Sequence, residues 1–184
     1  MNTPCQTESL KFRLKSLLES SGFEVSFRTE SPQLWQTCFE LLEFQRISAS
    51  NSFIDYSIEY EQGNGRQCDD LSLVLISNQQ AVAIWPLSIN SLVDSKYLAR
   101  PGGSVSVPHC LSSTSTKLNS KISKICYKIC IHLAQNLGQK ELSSSCFEPG
   151  ASALSPWQIY AMQLGASCSI KHEALVDLSP PIAQ

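Results

Sequence analysis

Apolar residues recur along this chain first at helical spacing, then at strand spacing, and the two alternate to the end. Leu10, Leu14, Leu17 and Leu18 form a helical stripe and Gly22 follows it, predicting a first helix over 7–21. Residues 23–28 alternate apolar and polar side chains and predict a short strand. Ser31-Pro32 opens a second helix, with serine as N-cap and proline at the first helical position. Its apolar face is Leu34, Trp35, Cys38, Phe39, Leu41 and Leu42. A third helix is expected over 53–62, closed by Gly63-Asn64-Gly65.

Two β-rich runs follow, 71–77 and 81–85, separated by Asn78-Gln79-Gln80 as in a tight hairpin. Pro86 ends the second run or bends its edge. A further strand over 95–99 leads into the turn Arg100-Pro101-Gly102-Gly103, and 104–116 is expected to be an irregular loop. The longest helix is expected over 117–137 with Gly138 closing it. Leu118, Ile122, Ile125, Cys126, Ile129, Cys130 and Leu133 lie on its apolar stripe, and Lys117, Lys121, Lys124 and Lys128 lie opposite. A strand over 140–147, a short helix from Ser155-Pro156 to Gly165 and a last strand over 167–178 complete the pattern. No repeat or low-complexity linker divides the chain.

Composition narrows the function classes. Hydrophobic residues make up 42%, which excludes a wholly disordered chain. Charged residues make up only 16%, below the roughly 25% of ordinary soluble domains, with serine in their place. The net charge of −2 argues against a strongly basic nucleic-acid binder. The N-terminus has no secretion-signal pattern, and no apolar run approaches the roughly 20 residues of a membrane span. The expected compartment is the cytoplasm. The eight cysteines form no C-x-x-C pair. They read as buried thiols, and Cys126 and Cys130, one turn apart, as core residues in preference to metal ligands.

Motifs that carry chemistry are sparse. The lysine stripe suits either an anionic partner or an ordinary solvated face. The run Ser112-Ser113-Thr114-Ser115-Thr116 suits either an anion or ordinary capping. RNA binding through the lysines is disfavoured because no aromatic platform accompanies them. Of His109, His132 and His172, only His109, in a loop near a glycine turn, is a candidate acid or base. There is no G-x-S-x-G elbow, Walker loop, H-E-x-x-H pair or G-x-G-x-x-G after a strand.

Several blocks, in order, resemble the N-terminal half of FemAB-like proteins, a branch of the GNAT acyltransferase superfamily. They are Tyr56-Ser57 on a helix, Asp69-Asp70-Leu71-Ser72-Leu73-Val74-Leu75, Ala81-Val82-Ala83-Ile84-Trp85-Pro86-Leu87, Gly102-Gly103 with Pro108 after it, Ser155-Pro156-Trp157, and Val176-Asp177-Leu178-Ser179. The resemblance spans about residues 32–179. It implies an α+β fold: a GNAT-like mixed, largely antiparallel sheet flanked by helices, incomplete at its C-terminal side. The implied layout is a helix and strand over 1–30, the domain over 31–179 and a truncated tail over 180–184.

The activity implied is transfer of an acyl or aminoacyl group to an amine of a cell-envelope or surface-sugar precursor. The donor would be acetyl-CoA or another acyl donor, and nucleic acid would enter only as an aminoacyl-tRNA donor. The resemblance also implies a second GNAT-like half, encoded separately, as partner. In GNAT enzymes an R/Q-x-x-G-x-G/A loop between a central strand and the next helix holds the coenzyme A pyrophosphate. The matching stretch is Arg100-Pro101-Gly102-Gly103-Ser104-Val105, which makes Arg100, Gly102 and Gly103 the expected donor-binding residues. No catalytic side chain is implied. The alternative is a non-catalytic remnant or interaction module of the same fold.

Overall fold

The structure is a computed structural model and describes residues 4–92, 95–145 and 154–167. Helix α1 (Pro4–Glu19) places Leu14 and Leu18 on one fully buried face. It ends where Gly22, at φ +87°, lets Phe23 N–H reach back to Leu18 O. Strand β1 (Glu24–Phe27), helix α2 (Pro32–Glu40), a 3₁₀ turn (Ile47–Ala49) and helix α3 (Asn51–Gly63) follow. Next come β2 (Gln67–Asp70), β3 (Leu73–Ser77), β4 (Gln80–Trp85), β5 (Ser88–Leu92) and β6 (Ser95–Ala99). The described chain ends with β7 (Val105–Ser106), β8 (His109–Cys110), helix α4 (Thr116–Asn136), β9 (Ser144–Ser145) and helix α5 (Pro156–Gln163).

The strands order as β1-β3-β4-β8 in one antiparallel sheet and β2-β5-β6 in another, while β7 and β9 pair in parallel. The fold is thus mixed α+β and largely antiparallel, as expected. The two antiparallel sheets are halves of one long ribbon, interrupted at Pro86. Proline has no N–H for the ladder, and the hydroxyl of Ser72 enters the gap: it accepts from Leu87 N (3.2 Å) and donates to Leu87 O (3.3 Å). Leu71 N–H also bonds Leu87 O at 2.9 Å, so pairing resumes on both sides of the break.

Side chains of β3 and β4 alternate between two cores. Leu73, Leu75, Ala83 and Trp85 join Leu14 and Leu18 of α1, Ile122 to Leu133 of α4 and Trp157 of α5. Val74 and Ile84 join Trp35 and Cys38 of α2, Ala49, Ile54 of α3 and Leu111. Helices therefore cover both faces, which is why β3 and β4 read as nearly unbroken apolar runs. Trp157 meets Tyr127 edge-on at 5.0 Å between ring centroids, fixing α5 on α4.

Four expectations need correction. The hairpin turn has two residues, not three: Asn78 and Gln79 both take positive φ (51° and 63°), as a type I′ turn requires, and β4 begins at Gln80. The stretch 104–116 is not irregular throughout, since it contributes β7 and β8. Helix α2 ends at Glu40, so Leu41 is exposed while Leu42 still reaches the core. Ser31 makes no side-chain capping bond. The final strand beyond residue 167, with Val176-Asp177-Leu178-Ser179 and the 180–184 tail, lies outside the described residues.

Candidate functional site

Arg100 and Gly103 close a reverse turn at the end of β6. Each backbone N–H donates to the other's carbonyl at 3.1 Å, with Pro101 and Gly102 between them. Proline sets φ for the second position, and Gly102 at φ +73° meets the left-handed requirement of the third, as in a type II turn. The turn packs on α3. A Cβ on Gly102 would lie 2.8 Å from Ser57 Oγ and 3.2 Å from Phe53 Cε1. Two blocks of the family resemblance, Tyr56-Ser57 and Gly102-Gly103, are therefore in contact. Tyr56 itself is exposed and stacks on Tyr60 at 6.1 Å.

The Arg100 side chain folds back over its own turn. Nη1 donates to Pro101 O at 3.0 Å, and a Cβ on Gly103 would stand 2.8 Å from Nη2. The Gly103 amide is already used inside the turn, so it is not available to cradle a phosphate. What the turn offers instead is the guanidinium, which keeps unused N–H donors. The turn lies between β6 and β7. The connection that enters α4 is 111–115, and three of its hydroxyls are engaged: Ser112 Oγ donates to Leu41 O (2.9 Å), Thr114 Oγ1 to Val82 O (2.7 Å), and Ser115 Oγ caps Leu118 N–H (3.3 Å).

His109 sits on β8, paired with Ile84 of the hairpin, and is partly buried. Burial first, then the charges of Arg46 and Arg100, push its pKa down to about 4. At neutral pH the ring is therefore uncharged, with one N–H donor and one acceptor nitrogen. Burial and the Arg46 charge likewise lower the pKa of Arg100. Arg46 carried no signal in the sequence. Only the return of β8 beside the chain leaving α2 reveals it as a neighbour of the glycine turn.

The other candidates take structural roles. Lys117, Lys121, Lys124 and Lys128 are exposed, and Lys121 and Lys124 cover the rings of Phe23 (5.0 Å) and Tyr160 (5.3 Å). His132 Nε2 lies 2.9 Å from Arg13 Nη2, joining α1 to α4. Cys126 and Cys130 are buried in the main core, where burial raises both thiol pKa values. Among the described residues, no group of three or more His, Cys, Asp or Glu is placed to hold a metal ion. Among them, too, no helix is long and apolar enough to cross a membrane. His172, Cys146 and Cys168 lie outside the described residues. Asp70, from the second resembling block, is committed to Arg28 at 2.8 Å. No family model, curated protein or solved structure matches this chain.

Proposed function

We propose that this chain is the N-terminal half of a FemAB-like GNAT acyl- or aminoacyltransferase, acting on an amine of a cell-envelope or surface-sugar precursor. The observation that carries the reading is convergence. The Tyr56-Ser57 helix, the 81–87 strand and the Gly102-Gly103 turn, which resemble the family separately, meet around Arg100 and His109. A mixed sheet covered by helices on both faces agrees with it. The chemistry is attack of a neutral amine on a thioester or ester carbonyl. It asks the protein to position two substrates and to meet the developing oxyanion with N–H donors. Arg100 and the His109 ring are such donors, whereas a histidine with a pKa near 4 is a poor base at neutral pH. The expected partner is a second GNAT-like half.

Two features favour the alternative, a non-catalytic interaction module. The Gly103 amide is occupied, and α5 leaves Ile159 and Met162 nearly half exposed, with Leu164 just after it. Calorimetry with acetyl-CoA, alongside hydrogen exchange of 100–104, separates the two. Saturable heat with protection of the turn supports the transferase reading. A folded chain silent in both assays supports the module.

A further inference from the structure

We propose that the outer face of α1, α4 and α5 docks this protein on an anionic lipid bilayer surface. Helix α4 supplies the charge. Lys117, Lys121, Lys124 and Lys128 recur at helical spacing, so they form one straight row about 16 Å long. Between Lys117 and Lys128 the only other exposed residue is Ser120. Helix α4 contains no aspartate or glutamate. Among the described residues, no carboxylate forms an ion pair with any of the four lysines. On α1, Glu8 and Glu19 lie beside Lys11 (3.8 Å) and Lys15 (4.0 Å) of their own helix, so their charge is already met there.

Apolar side chains flank the row on both sides. Lys121 lies over Phe23, just past α1, and His132 meets Arg13, so α1 borders one side. Lys124 lies over Tyr160, and Tyr127, on the side of the row away from His132, packs on Trp157 and Tyr160, so α5 borders the other. The apolar stripe of α4 itself is used in the core. What reaches solvent is Phe12 on α1, 76% exposed, and Ile159 and Met162 on α5, each nearly half exposed. This order selects the occupant. A protein partner calls for an apolar centre and a polar rim, and here the charge is central and the apolar residues lie outside it. Nucleic acid calls for free aromatic faces, and lysines cover the rings of Phe23 and Tyr160. An anionic bilayer meets both features. The lysines reach the headgroup phosphates, while Phe12, Ile159 and Met162 enter the boundary with the acyl chains.

The test is co-sedimentation of the full chain with two kinds of vesicle, one an equal mixture of phosphatidylcholine and phosphatidylglycerol, the other phosphatidylcholine alone. Saturable binding to the mixed vesicles is expected, with little to the neutral ones and a steep fall as salt rises. Lys117 and Lys128 take no part in the ring contacts of Lys121 and Lys124, so Lys117→Gln and Lys128→Gln should spare the fold. Each should weaken binding about fivefold. Phe12→Ser should also weaken binding, by the same factor at every salt concentration, because insertion is not screened. Arg66→Gln removes a charge just past α3, which covers the opposite face of the sheet, and should leave binding unchanged. A thermal melt of each variant reports whether it folds. Equal binding to both vesicles, no loss in the Lys117→Gln/Lys128→Gln double variant, equal loss in Arg66→Gln, or indifference to Phe12→Ser overturns the proposal. So does a chain that ignores vesicles and binds polyglutamate or single-stranded RNA through the same lysines, which assigns the row to an acidic protein or to a nucleic acid.

Discussion

Arg28 Nε lies 2.8 Å from Asp70 Oδ2, and both side chains are almost wholly withdrawn from solvent. The pair joins the end of β1 to the end of β2 across the break in the ribbon. Burial opposes the Arg28 charge, and the carboxylates of Asp70 and Asp55 outweigh it, so its pKa rises. Asp70 Oδ1 accepts from Ser72 N–H (2.9 Å), the residue whose hydroxyl bridges the gap at Pro86. Asp55 binds the same guanidinium from α3 at 2.8 Å but is 57% exposed. Removing one partner of the buried pair leaves the other uncompensated. Arg28→Ala should therefore cost about 3–5 kcal/mol. Asp55→Asn should cost no more than about 1 kcal/mol. Urea denaturation checks both, and equal losses would show that burial does not decide the matter.

Two serines that look alike in sequence separate in the structure. Ser31 and Ser155 each precede a proline that opens a helix. Ser155 Oγ accepts from Gln158 N–H (3.2 Å) while Gln158 Oε1 accepts from Ser155 N–H (2.8 Å), a complete capping box. Ser31 has φ −140° and ψ 66° and makes no such bond. Ser155→Ala should therefore cost ~1 kcal/mol and Ser31→Ala close to nothing. Thermal melts of the two variants, recorded side by side, test the contrast.

The same pair shows where sequence reading succeeds and where it stops. The long periodic elements α1, α3 and α4 and the hairpin were legible, because each repeats its spacing often enough to stand out. β7 and β8 have two residues each, too few for any alternation to register. β2 (Gln-Cys-Asp-Asp) and β5 (Ser-Ile-Asn-Ser-Leu) are poor strand formers by composition, and β2 gains its place by pairing along β5. At the candidate site the turn residues Arg100, Gly102 and Gly103 were visible. Arg46, 54 positions upstream of Arg100, could not be seen, because only the folded chain makes them neighbours.

Gly102 and Gly65 share φ +73° but not their surroundings. Nothing lies within 4 Å of a Cβ at Gly65, so Gly65→Ala should cost only the backbone strain, about 1–2 kcal/mol. Gly102→Ala adds a collision with Ser57 Oγ and should cost more. The excess should shrink in a Ser57→Ala background, since that removes the nearest atom. A double-mutant cycle by chemical denaturation measures the coupling, and zero coupling would mean that the turn does not rest on α3.

His109 gives the fold a pH dependence whose sign follows from its depressed pKa. In the unfolded chain a histidine titrates near 6.5, and in the fold His109 titrates near 4. Between those values the unfolded chain binds the extra proton, so stability rises with pH. The contribution is complete above about pH 6.5 and is lost as pH falls toward 4. Its size is about 2–3 kcal/mol, discounted for the ring's partial exposure. His109→Asn should flatten the denaturation midpoint over that window. A native profile that matches the His109→Asn profile from pH 7 to pH 4 would show that the ring is solvated and that the two arginines do not act on it.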